Sequence, residues 1–131
     1  MYELEIKTSK KEEFIDITRK IQEVVYKSGI KKGLCGVFVP HTTCALMVNE
    51  NADPDVVRDI SNMLKKIVPD DMGYQHGEGN SPAHIKSTLV GSSKHFIVSG
   101  GSIVLGTWQG IFLVEFDGPR TRRVWVGVVG N

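Results

Sequence analysis

The sequence predicts an α+β fold, in which helices pack on a largely antiparallel or mixed β-sheet. Some segments alternate apolar and polar residues as half-buried strands do, whereas others repeat apolar residues at helical spacing. Strand patterns outnumber helix patterns, and the last strands follow one another directly, which favours antiparallel pairing over βαβ units. The chain has 131 residues, so we expect one compact domain over residues 1–131.

The first elements are a strand and a helix. Residues 2–7 alternate apolar and charged side chains, which predicts a half-buried strand. Ser9 and Glu12 have the spacing of a capping box, which predicts that a helix begins there. Gly29 is a suitable residue to end that helix. The apolar positions of this helix are Phe14, Ile17, Ile21, Val24 and Val25.

Two strands and a second helix follow. Residues 34–40 are apolar on both faces, as in the centre of a sheet, and Pro40 ends the strand. Residues 44–50 predict another short strand. Asp53 and Pro54 suit the N-cap and first position of a helix that Pro69 ends.

The second half of the chain predicts one short helix and several strands. After a polar loop, Ser81 is the expected N-cap of a helix that runs to about Leu89 and is closed by Gly91. The expected strands lie at 95–100, 102–106, 111–116 and 123–129. The turn "DGPRT" predicts a hairpin connection between the last two.

The composition excludes several classes of protein. The net charge is +1, which gives no basic surface for nucleic acid. No apolar run is long enough to span a bilayer, and the charged N-terminus is unlike a signal peptide. Two cysteines, Cys35 and Cys44, do not make a disulfide framework. We therefore expect a cytoplasmic protein with reduced thiols that binds neither nucleic acid nor membrane.

The segment "HGEGNSPAHIKS" concentrates coordinating groups. With Ser81 as N-cap, His84 is the third helical residue, where the helix dipole favours a neutral imidazole and attracts phosphate. His76 can face the same point across a glycine turn. Two imidazoles and Glu78 suit Zn²⁺ or a similar ion. Alternatively, Asn80 and Ser81 only cap the helix, and the histidines are polar loop residues.

A second polar cluster, "PHTTC", stands at the end of a buried strand. His41 is at a usual position for a functional group, and Thr42 and Thr43 offer hydroxyl donors for an oxyanion or phosphate. The alternative is a strand-end histidine that a backbone carbonyl satisfies. Cys44 suits packing better than nucleophilic attack.

Two more clusters contain candidate residues. Glu50 is a candidate ligand or base, whereas the neighbouring Asp53 is explained by capping. Trp108 between glycines can stack on a flat ring while Gln109 reads its edge. A turn in which Trp108 covers the edge of the core is the alternative.

The last cluster, "EFDGPRTRR", joins an acidic residue to three arginines. Glu115 lies in an apolar run and needs a partner if it is buried. Arg120, Arg122 and Arg123 can meet phosphates, or they line a solvated strand edge. His95 stands alone in a strand pattern and is expected at the surface.

Taken together, three long segments resemble the YjbQ-like family, also described as secondary thiamine-phosphate synthase enzymes. They are "SGIKKGLCGVFVPHTTCALMVNENADPDVVRDI", "HGEGNSPAHIKSTLVGSS" and "LGTWQGIFLVEFDGPRTRRV". The resemblance extends from about Phe14 to Gly130. It implies a compact α+β subunit that assembles as a homotrimer, with a metal-binding polar site. The implied site consists of His41, His76, Glu78, Asn80 and His84, with Trp108 and Gln109 close by.

The resemblance implies a reaction that joins a pyrimidine pyrophosphate to a thiazole phosphate and releases pyrophosphate. We expect catalysis by His41, Glu50 and Glu78. We expect a divalent ion (Zn²⁺, or Mg²⁺ or Mn²⁺) to be bound by His41, His76 and His84. The residues expected to bind the small phosphorylated substrate are Thr42, Thr43, Asn80, Ser81, Trp108, Gln109 and Arg120. Two alternatives are a metal-dependent hydrolase of a small phosphorylated metabolite and a non-enzymatic binding or assembly protein. A non-enzymatic protein of this kind predicts that the polar clusters do not meet in one site.

Overall fold

The computed structural model describes all 131 residues and contains eight strands and three helices. The strands are β1 (Tyr2–Lys7), β2 (Glu13–Asp16), β3 (Lys32–Phe38), β4 (Cys44–Glu50), β5 (Ser93–Ser99), β6 (Ser102–Ile103), β7 (Gln109–Glu115) and β8 (Thr121–Gly130). The helices are α1 (Thr18–Ser28), α2 (Pro54–Ile67) and α3 (Ser81–Val90). None of the three helices has the length and hydrophobicity needed to cross a bilayer.

The strands form two sheets in which every pairing is antiparallel. A five-stranded sheet has the order β1-β8-β3-β5-β6, and a three-stranded sheet has the order β2-β7-β4. The predicted α+β class is confirmed. The apolar segment 34–40 lies mostly in β3, which is central as expected, between β8 and β5.

Two hydrophobic clusters explain why β4 and β7 are apolar on both faces. Leu46 and Leu113 point into the main core, which α1 and the five-stranded sheet complete. The alternate residues Met47 and Phe112 point the other way, into a smaller core that α2 and α3 cover. The three-stranded sheet is therefore a middle layer, and α3 lies on its outer face.

The first helix begins later than predicted. Ser9 does not cap it: its backbone N–H donates to the Glu13 carboxylate (2.8 Å) within a turn. Phe14 belongs to β2 and pairs with Val114 of β7. The helix starts at Thr18, and the predicted end at Gly29, with φ 73°, is confirmed. Pairing with β7 thus outweighs the local helical pattern over residues 13–16.

The second helix begins as predicted. The side chain of Asp53 accepts a hydrogen bond from the Asp55 N–H (2.9 Å), and Pro54 is the first helical residue.

The start of α3 is shifted by one residue from the prediction. Asn80 is the N-cap and Ser81 the first helical residue, so His84 is the fourth rather than the third. The carbonyl of Asn80 accepts hydrogen bonds from the N–H groups of Ala83 and His84. These two N–H groups are therefore bonded within the helix and are not free to bind a phosphate.

The turn after β7 is not a hairpin. β8 pairs with β1 and β3, whereas β7 already has β2 and β4 as neighbours. The chain instead crosses from one sheet to the other, held by hydrogen bonds from Gly118 N–H to Lys11 O (2.9 Å) and from Thr8 N–H to Arg120 O (2.8 Å). Of the expected strand 102–106, only Ser102–Ile103 is formed.

Candidate functional site

One face of α3 and the connection between β3 and β4 enclose a polar groove of about 430 Å³. We call it the histidine groove. Its lining residues are His41, Thr42, Cys44, His84, Ser87, Thr88, Gly91 and Ser92. None of them is acidic, so the groove lacks the carboxylates that would repel an anion.

The spacing along α3 explains how the helix contributes its part of the groove. His84, Ser87, Thr88 and Gly91 follow one another at intervals of three or four residues and share one side of the helix. The hydroxyl of Thr88 donates to the carbonyl of His84 (2.9 Å). Ser87 is only 7% exposed, and its hydroxyl has no hydrogen-bond partner. A buried hydroxyl without a partner indicates a place where a ligand atom or water can bond.

The β3–β4 connection contributes His41 through a backbone contact with β8. The N–H of Arg123 donates to Nε2 of His41 (2.9 Å), so Nε2 is unprotonated and the neutral ring carries its proton on Nδ1. Burial and the nearby positive charge of Arg122 lower the pKa of His41 below its ordinary value. His41 is therefore neutral near pH 7.

A buried ion pair lies directly behind this connection. Glu115 and Arg122 are 0% and 4% exposed, and their side chains are in contact. Glu115 also accepts hydrogen bonds from the Thr8 hydroxyl (2.8 Å) and the Asp117 N–H (3.1 Å). Burial raises the pKa of Glu115, but the bonds from Arg122, Asp117 and Thr8 outweigh it and lower the pKa overall. The sequence expectation that a buried Glu115 needs a partner is met.

His76 and His84 also lie together. Their rings meet edge to face with centroids 5.3 Å apart, and Glu78 Oε2 lies 3.9 Å from His76 Nε2. These are donor types that Zn²⁺ uses, but no three His, Cys, Asp or Glu side chains come close enough to hold a metal. The bond from Arg123 also leaves His41 only Nδ1 for a metal. The donors of one chain thus suit a metal in kind but not in number.

Glu78 and Asn80 line a second cavity, of about 320 Å³, which Lys86 also borders. Asn80 Nδ2 donates to Asp117 (3.0 Å), and Arg120 donates to the same carboxylate (2.9 Å). Lys86 is 1% exposed and pairs with Glu12 (2.6 Å). Glu78, Asn80 and Arg120 are thus not among the residues that line the histidine groove.

Two other predicted site residues are buried. Ser81 is buried at the start of α3. The hydroxyl and the carbonyl of Thr43 both accept hydrogen bonds from Arg122.

Glu50, Trp108 and Gln109 lie at the other end of the three-stranded sheet. Cys44 pairs with Glu115 at one end of the β4–β7 ladder and Glu50 with Gln109 at the other, a separation of about 20 Å at the usual rise per residue. The Glu50 carboxylate accepts from the Asp53 N–H (3.2 Å) and Gln109 Oε1 from the Gly106 N–H (2.8 Å). The exposed Trp108 and its neighbours do not reach the histidine groove within one chain.

Three hydroxyl residues of the groove were not among those expected from the sequence: Ser87, Thr88 and Ser92. A usable signal was present, because Ser87 and Thr88 stand three and four residues after His84. To use this signal, one must know which side of α3 faces away from the core. The apolar periodicity of so short a helix does not show that side.

Comparison with known proteins places these features in a family. The model of the family described as "UPF0047 protein YjbQ-like" matches residues 2–131. The UPF0047 protein of Methanocaldococcus jannaschii is 48% identical over 131 residues, which cover all of this chain and 95% of that protein. The YugU protein of Bacillus subtilis is 46% identical over 128 residues, which cover 97% of each.

Solved structures agree with the fold. A YjbQ/UPF0047 protein from Clostridium acetobutylicum superposes with a TM-score of 0.96 at 50% identity, covering 98% of this chain and 100% of that one. A protein of unknown function from Sulfolobus solfataricus gives a TM-score of 0.95 at 37% identity, covering 99% and 96%. At these identities the likeness concerns both sequence and fold.

Proposed function

The chain belongs to the YjbQ-like family, UPF0047, and we propose that it is an enzyme that binds a small phosphorylated substrate in the histidine groove. One observation carries this proposal. Two histidines and several hydroxyls from two separate elements line one cavity that contains no acidic side chain. Converging polar groups of this kind are typical of ligand sites.

The donors of the groove suit a phosphate group. The neutral ring of His41 can donate from Nδ1, since Nε2 already accepts from Arg123. The Thr42 hydroxyl makes no hydrogen bond within the chain, and that of Ser87 is buried without a partner. Neutral donors in a partly enclosed site bind an oxyanion well because they need little reorganisation.

The reaction that the family resemblance suggests is the joining of two phosphorylated rings. The ring nitrogen of a thiazole phosphate attacks the methylene carbon of a pyrimidine pyrophosphate. The bond from that carbon to oxygen breaks, and pyrophosphate leaves with the electron pair. In our proposal, His41, Thr42 and Ser87 bind the leaving pyrophosphate, on which negative charge develops. Holding both rings in one site adds the benefit of orientation.

A metal-dependent hydrolase of a small phosphorylated metabolite is the second candidate. The contact between His76 and His84 favours it, because two imidazoles are a common part of a divalent metal site. No third donor of this chain comes close enough to complete a metal site, so Zn²⁺, Mg²⁺ or Mn²⁺ would be held by these two rings only together with donors from outside the chain. Such an ion would supply positive charge to phosphate oxygens. The joining reaction proposed above requires no step at this ion.

A homotrimer is part of the proposal. The outer face of the five-stranded sheet exposes Leu34, Ile97 and Val129, which are neighbours across β5, β3 and β8. Exposed apolar patches of this kind often mark interfaces. Assembly would also give Glu50, Trp108 and Gln109 a route to the histidine groove of a neighbouring subunit.

The test supplies both ring substrates and measures pyrophosphate, inorganic phosphate and the joined product. Coupling predicts joined product and pyrophosphate in equal amounts, whereas hydrolysis predicts inorganic phosphate without joined product. His41→Ala and Ser87→Val should each lower the rate about 100-fold if a transition-state donor is lost. Tyr26→Ala, at an exposed position on α1, is the control. Neither product with wild-type protein would contradict both enzymatic readings and favour a binding or assembly protein.

A further inference from the structure

Two successive residues of β8 hold two alternate residues of the β3–β4 connection. The backbone N–H of Arg123 donates to the ring of His41, and the guanidinium of Arg122 donates to both the carbonyl (3.2 Å) and the hydroxyl (2.8 Å) of Thr43. Thr42, between them, is exposed and lines the histidine groove.

We infer that Arg122, fixed by Glu115, is a positioning residue that sets the place of His41 and Thr42 in the histidine groove. The inference rests on the proposed function in one respect, since it takes this groove as the ligand site. Arg122 is not expected to touch the ligand: it is 4% exposed and does not line the groove. It acts through Thr43.

The buried ion pair is fixed from several directions, as this role requires. Arg122 Nε donates to one oxygen of Glu115 (2.9 Å), and its Nη2 contacts the other. Glu115 is further bonded to Thr8 and to the backbone of Asp117. A bidentate arginine–carboxylate pair whose other donors and acceptors are also hydrogen-bonded is held in a single orientation. The guanidinium therefore presents Nη2 to Thr43 in a fixed direction.

An arginine suits this place better than a lysine. Its planar fork bonds Glu115 through Nε and Thr43 through Nη2 at the same time. A lysine has a single nitrogen, so it could neutralise Glu115 but not hold both oxygens of Thr43 in the same plane. The stabilising contribution of the charge and the positioning of Thr43 are therefore separable by substitution.

The test replaces the pair rather than one partner. In Arg122→Met/Glu115→Met, two apolar side chains fill the space, and such exchanges of buried pairs often leave stability unchanged or raised. If the pair only stabilises the fold, the double variant should bind inorganic phosphate with the wild-type Kd. If Arg122 positions Thr43, the connection loses its support, and we expect the Kd for inorganic phosphate to rise about tenfold, as for loss of a hydrogen bond to a charged group.

A second readout does not depend on ligand binding. In ¹⁵N NMR spectra, the ring of His41 in the wild-type protein should show the form protonated on Nδ1, as its bond from Arg123 requires. In the double variant we expect a mixture of both neutral forms. An unchanged His41 spectrum together with an unchanged phosphate Kd would overturn the inference.

A single-residue pair covers the case in which the double variant does not fold. Thr43→Val removes the hydroxyl that accepts from Arg122, and Thr43→Ser keeps it. We expect Thr43→Val to alter the His41 spectrum and weaken phosphate binding. Thr43→Ser should match wild type in both measurements. If the two variants give the same spectrum and the same phosphate Kd, Arg122 does not position His41 through Thr43. If wild-type protein binds no phosphate, the proposed function fails, while the His41 spectrum still decides the role of Arg122.

Discussion

The ring of His76 stands perpendicular to that of His84, at an angle of 85° between the planes and with 5.3 Å between the centroids. The two imidazoles come from the loop before α3 and from its first turns. Glu78 Oε2 lies 3.9 Å from His76 Nε2, and no three His, Cys, Asp or Glu side chains come close enough to hold a metal. With so few donors, a metal bound by one chain would be held loosely and exchange readily.

We therefore expect Zn²⁺ to bind reversibly and a chelator to remove it without unfolding the protein. The measurement is metal content by mass spectrometry beside thermal unfolding, before and after chelation. His76→Ala/His84→Ala should lose the metal, and His95→Ala should keep it. Metal that resists chelators, or that survives the double substitution, would contradict this assignment of ligands.

Acid should destabilise the protein through Glu115. Its pKa is lower in the folded state than its ordinary value of 4.5. The unfolded chain therefore takes up this proton first, and the stabilising contribution, complete above pH 4.5, declines as the pH falls towards the folded pKa. Urea unfolding between pH 3 and 7 should show this decline.

Glu115→Gln is the matched variant for this dependence. It should unfold at lower urea at pH 7, with a loss of about 3 kcal/mol, because Arg122 is left without its counter-charge. Its stability should vary less than that of wild type between pH 3 and 5. A variant with the same pH dependence as wild type would assign the acid sensitivity to other carboxylates.

The two cysteines should be inert in the folded protein. Burial raises the pKa of Cys35 to about 11 and that of Cys44 to about 12. Few thiolates exist at pH 8, and access is blocked as well. A thiol reagent should react with both only after denaturant is added. Rapid reaction of Cys44 in native buffer would mean that the reagent reaches its thiol through the histidine groove.

Gly118 should not tolerate a side chain. A Cβ at this position would lie 2.3 Å from the Lys10 carbonyl oxygen and 2.8 Å from the Thr8 hydroxyl. Gly118→Ala must move the crossing between β7 and β8, at a cost of about 1–3 kcal/mol. Gly36→Ala is the control, since nothing lies within 4 Å of its added Cβ. Thermal unfolding that ranks the two alike would contradict the tight contact with residues 8–10.

The outer face of the five-stranded sheet should control assembly. Leu34 and Ile97 are paired across β3 and β5 and are exposed. We expect Leu34→Glu/Ile97→Glu to convert a trimer into monomers, because charged side chains resist burial. Light scattering after size exclusion should then give about the chain mass of 14.5 kDa in place of three times that value. Monomeric wild-type protein would remove the trimer from the proposal.

The sequence predicted the fold class, the central strand and the ends of two helices, because those features depend on local patterns. Gly29 and Asp53 have the roles that their residue types favour. Phe14 shows the limit of such patterns. It fits a helical repeat, yet it pairs with β7, which is about 100 residues away along the chain. No short window of sequence contains that pairing.

The candidate site was predictable in part. His41 and His84 each stand at or near the end of an element, which favours them as candidates, and both line the same groove. Glu50, Trp108 and Gln109 have similar local signals, yet the register of β4 and β7 separates them from that groove. Ser87 has only one signal in the sequence, its position three residues after His84. Its importance comes from burial without a partner, which only the packing of α3 reveals.

The position of β8 has a consequence for the order of folding. This strand follows all the others along the chain, yet it lies between β1 and β3 in the finished sheet. It also provides Arg122 and the Arg123 N–H that hold residues 41 and 43. During synthesis, the histidine groove therefore cannot form until the last strand has emerged and inserted. Such long-range pairing slows folding, and a folding intermediate without β8 would have its cores partly built but no site for an anion.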